Sequence, residues 1–232
     1  MKSMRKLSRQ VYIISDLHLG GVYPDTDKPG ARGFRLCTQV QALADFINAL
    51  AQKPPGRPKI ELIINGDFMD FLAEKEPVFP YWNPFTSDTE AAIRKLEAIV
   101  QRDRLVFDSL RRLLERGHRL VIVLGNHDVE LSLFQVRRRF MSILGVEGRH
   151  DFEFVYDGEA YIVGDALVEH GNRYDKFNIV DFDGLRRVRS LLSRRQQVPE
   201  KYAFNPPPGS RIVSTIINQI KEVYPLCRSS QA

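Results

Sequence analysis

Cysteine is almost absent from the chain, which has only Cys37 and Cys227 among its 232 residues. The two cysteines are far apart, and neither belongs to a CxxC pair. A small disulfide-stabilised fold needs several paired cysteines, and a thiolate metal site needs clustered ones. The sequence therefore favours neither kind of scaffold, and a metal site in this chain would have to use oxygen and imidazole ligands.

Long apolar runs are also missing, since no stretch approaches the ~20 apolar residues of a membrane-spanning helix. The first ten residues, MKSMRKLSRQ, are basic and polar and lack the apolar centre of a signal peptide. With 43% hydrophobic and 27% charged residues, the composition is typical of a folded globular protein. We therefore expect a cytoplasmic protein.

Basic residues are in excess, with a formal net charge of +5. Such a surface favours anionic partners, although solvated helix faces explain clustered arginines equally well. The clusters are Arg137-Arg138-Arg139, Arg186-Arg187 with Arg189, and Arg194-Arg195.

Three short runs rich in β-branched residues, 11–14, 60–64 and 120–124, have no polar alternation, which predicts strands buried on both faces. Helical spacing of apolar residues separates them, over 40–50 and over 93–114. Gly117 lies where a glycine would end the second helix. The order β, α, β, α, β predicts an α/β fold with a parallel sheet and right-handed crossovers.

The second half of the chain continues with an amphipathic stretch and three short apolar runs, at 153–156, 160–163 and 166–169. The pair Asp157-Gly158 predicts a hairpin between the first two runs. Beyond Tyr174 the sequence changes to an arginine-rich helix, a proline-rich break and a last apolar helix. We predict a core over residues 1–175 and a helical cap or insertion over 176–232, in a chain that either is truncated before its final strands or has lost them.

Each of the three predicted strands ends in residues that bind metals. The first is followed by Asp16-Leu17-His18, the second by Gly66-Asp67 with Asp70 further on, and the third by Gly125-Asn126-His127-Asp128. The carboxyl ends of neighbouring parallel strands lie together, so these side chains should converge. Unpaired carboxylates held so close are costly without a cation. Oxygen and imidazole ligands suit Mn, Fe, Zn or Mg, and His170 is a further candidate ligand.

These motifs resemble those of the calcineurin-like metallophosphoesterase superfamily, whose pattern is D-x-H, G-D-x-x-D, G-N-H-D/E and a further histidine. The resemblance covers about residues 11–175 and implies an αββα sandwich of β-sheets flanked by helices. It also implies two divalent metal ions, with Mn the first expectation. By this resemblance Asp16 and His18 bind one metal ion, Asn126 and His170 bind the other, and Asp67 bridges the two ions. The resemblance also implies that His127 faces the phosphate as a catalytic residue and that Asp128 orients His127.

One family motif is missing: no histidine follows His170, so the chain lacks the final G-H-x-H and has incomplete C-terminal strands by that standard. The segment His170 to Asp175, HGNRYD, is locally similar to UDP-2,3-diacylglucosamine pyrophosphatases. That similarity makes Asn172, Arg173 and Asp175 candidate substrate contacts.

The leading hypothesis is hydrolysis of a phosphate ester or anhydride by metal-activated water, with a phosphorylated small molecule or a lipid-linked nucleotide sugar as substrate. Loss of the terminal histidines leaves open a catalytically impaired interaction module of the same fold. The arginine clusters leave open a nuclease-like phosphodiesterase that binds nucleic acid. They also allow peripheral contact with the inner membrane surface.

Overall fold

The computed structural model describes residues 9–22, 33–52, 58–76 and 81–224, and its centre is a sheet of four parallel strands. Every neighbouring pair is parallel, so the predicted α/β class is confirmed. The strands follow chain order across the sheet, β1 (Arg9–Ile14), β2 (Lys59–Asn65), β3 (Arg119–Val123) and β4 (Phe152–Val155).

Helices connect the strands and cover one face of the sheet. The helix expected over 93–114 is in fact two, because the chain bends at Asp103, a buried carboxylate that forms an ion pair with Arg35. Gly117 follows the second of them with φ of +76°, which confirms the predicted glycine stop. The helices are α1 (Val40–Ala51), α2 (Thr89–Arg102), α3 (Arg104–Glu115), α4 (Phe134–Leu144) and α5 (Phe182–Ser193).

A separate two-stranded antiparallel sheet, β5 (Tyr161–Val163) with β6 (Ala166–Val168), lies on the opposite face. The predicted hairpin at Asp157-Gly158 was therefore wrong. The run before that turn is β4, which pairs in parallel with β3, and the hairpin turn is Gly164-Asp165. Gly164 has φ of +60°, the left-handed conformation that a tight two-residue turn requires.

β2 and β3 are buried on both faces, as their lack of polar alternation predicted, but the same prediction for β1 was wrong: β1 is the edge strand of the sheet and its Ile13 is 50% exposed. Leu62 and Ile64 of β2 belong to the main core under the helices, whereas Ile63 belongs to a smaller core with Val163 and Val168 of the hairpin. The neighbouring β3 divides its side chains between the two cores in the same way. This two-sided burial fixes β2 and β3, and β1 pairs with β2 along its whole length, so the loops that leave the three strands start from defined positions.

The predicted cap segment is helical and shares the main core through Val180, Leu185, Val188 and Phe204. It ends in one continuous helical stretch: α6 (Pro208–Ile212), one turn of π-helix (Val213–Ile217) and α7 (Asn218–Val223). Among the residues the structure describes, no strand follows Val168 and no helix is long and apolar enough to cross a membrane. Cys227 and the polar tail lie outside the described residues.

A buried acid behind the site makes the stability of the fold depend on pH. Burial raises the pKa of Glu130 from an ordinary value of 4.5 to about 7, although the nearby Lys95 ammonium acts in the opposite direction. One carboxyl oxygen accepts from the Thr86 amide at 3.3 Å, and the other has no hydrogen-bond partner among the described residues. Between pH 4.5 and 7 this group is therefore ionised in the unfolded chain and protonated in the folded one.

We expect Glu130→Gln to remove this pH dependence. Below the unfolded pKa the wild-type carboxyl is neutral in both states, and its contribution to stability is lost as pH rises through the folded pKa. From pH 5 to pH 8 the free energy of unfolding of the wild type should fall by about 2 to 3 kcal/mol relative to the variant. Urea unfolding in chelator at several pH values measures this. Exposed Glu115→Gln is the control, and parallel pH curves for wild type and Glu130→Gln would contradict the prediction.

Candidate metal centre

The loops that follow β1, β2 and β3 are bonded to one another beyond the regular sheet. The Asp16 amide donates to the Gly66 carbonyl at 3.2 Å, and the His18 amide donates to the Asp67 carbonyl at 2.9 Å. The third loop joins through the Phe71 amide, which donates to the His127 carbonyl at 3.0 Å. The motif residues of all three strand ends are thus held side by side.

Three residues of this cluster have left-handed backbone: Asp16 with φ of +55°, His18 with +45° and Asp67 with +48°. Such a conformation is uncommon for residues other than glycine and costs about 1 kcal/mol or more each. It persists here because the interlocked loops impose it. Strained residues that cluster at one place, with metal-binding side chains, indicate a functional site.

Two glycines allow the loops to approach closely. A Cβ on Gly66 would fall on the ring of His170, and a Cβ on Gly125 would fall on the carboxylate and amide of Asp67, in both cases closer than 3.0 Å. Gly66 also has φ of +81°. The glycines of the G-D and G-N-H-D motifs therefore make room for the ligands of neighbouring loops.

The structure brings five of the predicted residues into two overlapping groups. One group is His18, Asp67 and His127, the other is Asp16, Asp67 and His170, and within each the ligand atoms lie within 4.8 Å of one another. Asp67 is common to both, the position a bridging carboxylate would occupy. Asp16 groups with His170, whereas the family resemblance assigned Asp16 and His18 to the same metal ion.

Asn126, the remaining predicted metal ligand, is buried in the same loop between Gly125 and His127. Its amide oxygen is a neutral donor of the kind that completes sites built from carboxylate and imidazole. Its role as a ligand stays a prediction.

His170 is oriented by Asn65 at the end of β2. Its Nδ1 lies 2.9 Å from the Asn65 carbonyl oxygen, so the N–H is on Nδ1 and Nε2 is directed at Asp67, 3.4 Å away. The Asn65 side-chain amide donates in turn to the Glu169 carbonyl at 2.9 Å. A histidine that donates one ring N–H to a backbone carbonyl and presents its other nitrogen is the usual arrangement of a metal ligand.

Asp70 is the residue that sequence reasoning undervalued. It is buried, with one carboxylate oxygen 3.0 Å from His127 Nδ1 and the other 3.3 Å from His18 Nδ1. The rings of His18 and His127 meet edge to face, with centroids 4.6 Å apart. Asp70 thus fixes two imidazoles at once, and the second aspartate of the G-D-x-x-D motif was the signal that could have identified it.

The expectation that Asp128 orients His127 was wrong. The Asp128 carboxylate instead accepts from the Gly125 amide at 2.7 Å and from the Phe68 amide at 2.9 Å. It therefore ties the loop after β3 to the loop after β2, and Asp70 takes the place beside the His127 ring. Burial and the nearby Asp67 carboxylate raise the pKa of Asp128 to about 7.

The carboxylates of the site stabilise positive charge on the imidazoles beside them. Burial alone would lower the pKa of His127 and of His170, but the carboxylates of Asp70 and Asp67 raise each of them to about 9. Burial would also raise the pKa of Asp70, yet the two imidazoles beside it lower that pKa far below its ordinary value. A divalent cation satisfies the same carboxylates and needs these imidazoles deprotonated, so cation and protons compete for one site. The donor set fits the metals that oxygen and imidazole ligands prefer.

Comparison with protein families settles the ancestry of this site, because the model of the family described as calcineurin-like phosphoesterase matches residues 9–213. The chain belongs to the calcineurin-like phosphoesterase family. Members of this family are metal-dependent phosphoester hydrolases, and the matched region contains every candidate ligand described above. The search of curated proteins found no match to the chain.

The three candidate substrate residues of this family member lie just after His170 and have internal contacts. Arg173 forms an ion pair with Glu169 at 2.7 Å, and Asn172 donates to the Asn178 carbonyl at 3.2 Å. Asp175 accepts from the Phe177 amide at 2.9 Å. These contacts hold the 3-10 turn Gly171–Tyr174 beside the centre, and substrate contact by these residues stays a prediction.

We expect Asp70→Asn to impair catalysis more than folding. Asparagine has the volume of aspartate but lacks the charge that holds His18 and His127, and loss of such a supporting residue costs about 10- to 100-fold in activity or metal affinity. Steady-state kinetics at saturating metal should show this loss in kcat, with KM nearly unchanged. The control is Asp45→Asn on exposed α1 surface. An Asp70→Asn enzyme with wild-type kcat would mean that Asp70 only caps the turn Phe71–Ala73.

Proposed function

We propose that this chain hydrolyses phosphate esters or anhydrides at a centre of two divalent cations, with Mn the first candidate and Fe, Zn or Mg as alternatives. The observation that carries the proposal is the position of Asp67, whose carboxylate belongs to both groups of candidate ligands. A carboxylate shared by two ligand groups is the feature expected of a dinuclear site. Family membership supports the reaction class.

The residues divide into those that hold cations and one that faces the substrate. Asp16, Asp67, His170 and Asn126 would hold one cation, and Asp67 with His18 would hold the other. When bound, two such cations activate water and neutralise the charge that develops on phosphate. His127 is the candidate for the leaving-group oxygen, because its Nδ1 is held by Asp70 and its ring projects among the other ligands.

We propose a diphosphate as the preferred linkage, in a nucleotide that carries a lipid-linked sugar. The local resemblance of His170 to Asp175 to UDP-2,3-diacylglucosamine pyrophosphatases supports this choice. The family match covers the whole site and is equally compatible with other phosphodiesters.

Hydrolysis of bis-p-nitrophenyl phosphate by purified protein tests the reaction class, and UDP-glucosamine derivatives with and without acyl chains test the linkage. We expect activity that needs Mn(II), disappears in chelator and returns when metal is restored. Activity on the chromogenic diester alone would keep the reaction class and remove the lipid-linked substrate. Absence of both metal binding and hydrolysis would favour the interaction module.

A further inference from the structure

The C-terminal helical stretch, residues 208–223, exposes a row of apolar side chains. The side chains that it buries are Ser210, Ser214 and Asn218, which recur every four residues on the face toward the protein, and Val213 and Ile217 are half-buried beside them. The apolar side chains Ile212, Ile216 and Ile220 recur with the same spacing on a different face, where they are 43%, 53% and 46% exposed. A helix that packs on a globular core normally buries its apolar face. We call the exposed face, Ile212, Ile216, Ile220 and Val223, the isoleucine ridge.

The buried polar face is anchored to the metal-site loops. The Asn218 side-chain amide donates to the Leu72 carbonyl at 2.7 Å, in the 3-10 turn that starts directly after Asp70. Ser214 donates to the Arg211 carbonyl at 3.1 Å within the helix. The Asn218 contact holds this face of the helix against the turn after Asp70, so the isoleucine ridge faces away from that turn.

Further exposed apolar residues lie near both ends of the helix. The Gly209 amide donates to the Phe177 carbonyl at 2.7 Å, which brings the segment around Phe177 against the beginning of α6. Phe177 and Ile179 are 50% and 51% exposed, and Tyr224 at the other end of the helix is 69% exposed. Single exposed apolar residues are ordinary on protein surfaces, but a row of them along one helix face indicates a surface that has a partner.

The charges beside the ridge indicate what kind of partner fits. Lys176 and Arg211 are exposed, Lys221 is half-buried, and none of these three takes part in an ion pair within the described part of the chain. The acids closest in sequence are engaged, since Glu222 pairs with Lys75 and Asp175 accepts from Asn178. Residues 174–224 carry nine Lys and Arg against five Asp and Glu, most of the net charge of the chain.

An apolar strip bordered by cations that form no ion pair with any described residue suits an anionic bilayer surface, because apolar side chains enter the acyl boundary while Lys and Arg meet lipid phosphates. A second copy of the chain would place like charges against each other. We propose that residues 174–224 dock on anionic membranes through the isoleucine ridge. This inference does not depend on the hydrolytic activity.

Sedimentation of the full chain with liposomes tests the docking. We expect binding to phosphatidylcholine vesicles that contain phosphatidylglycerol, little binding to phosphatidylcholine alone, and weaker binding at high salt. Ile216→Ser and Ile220→Ser should each lower the partition coefficient about tenfold, because each removes an apolar group from the lipid. The control is Leu105→Ser, since Leu105 on α3 is 47% exposed and lies outside the ridge.

Circular dichroism confirms that these surface variants remain folded. The proposal is overturned if the ridge variants and the Leu105 control bind vesicles equally, or if the wild type does not bind vesicles that contain phosphatidylglycerol. It is also overturned if gel filtration shows a dimer that the Ile216 and Ile220 substitutions dissociate, because a second copy would then cover the ridge.

Discussion

Replacement of Asp67 with asparagine is expected to abolish metal-dependent hydrolysis while the protein still folds. The Asp67 carboxylate is the member that both ligand groups share, so its loss weakens every candidate cation position at once. The His127 amide donates a hydrogen bond to the Asp67 carboxylate at 2.9 Å, and an asparagine oxygen can accept the same bond. The contact between the two loops is therefore preserved. Loss of a group that only supports a metal ligand costs up to about a hundredfold in activity. Asp67 is itself a candidate ligand, so turnover should fall by more than that.

Two measurements separate metal binding from folding in this experiment. Calorimetric titration with Mn(II) should show weaker binding, and thermal unfolding in chelator should differ little from the wild type. Asp183→Asn is the matched control, because that side chain is 85% exposed on α5. If Asp67→Asn keeps wild-type turnover and metal affinity, the site assignment fails.

The sequence was sufficient to predict three strands of the sheet and the convergence of their loops. Unbroken apolar runs marked β1, β2 and β3 as strands, although only β2 and β3 are buried on both faces, and chain order favoured parallel pairing. Once the strands are parallel and adjacent, the residues after Ile14, Asn65 and Val123 have to meet at one edge. This part of the site follows from topology alone.

The roles of Asp70 and Asp128 could not be predicted, because they depend on where side chains point within irregular loops. Both are aspartates close to other ligands in sequence, and Asp128 is adjacent to His127. The backbone takes a left-handed turn at Asp67, and beyond it Asp70 reaches the His127 ring while the Phe68 amide meets the Asp128 carboxylate. Spacing along the chain does not contain that information.

Two other predictions failed for a related reason. Apolar spacing continues through Asp103, so periodicity alone could not separate α2 from α3, and the break depends on the distant Arg35. The turn at Asp157-Gly158 does form a bend, but it leads from one sheet to the other rather than between paired strands. Local signals located the turn correctly and could not identify the strand partner.

Gly125→Ala is expected to destabilise the protein strongly, although it adds only one methyl group. A Cβ at this position would meet the amide and carboxylate of Asp67 closer than 3.0 Å, a separation that real Cβ atoms essentially never show. The backbone of one loop has to move, which should lower the free energy of unfolding by about 3 kcal/mol. For a chain of this size the melting temperature should then fall by about 10 °C.

The same displacement should cost metal affinity, because Asp67 would leave the position from which it reaches both ligand groups. Gly171→Ala is the matched control: Gly171 follows His170 directly, and a Cβ there meets nothing within 4 Å. We expect that variant to unfold within about 1 kcal/mol of the wild type, since it also restricts the unfolded chain. Thermal melts with and without Mn(II) measure both effects, and Mn(II) should raise the melting temperature of Gly171→Ala but not that of Gly125→Ala. Equal melting temperatures for the two variants would mean that the loops after β2 and β3 are not in close contact.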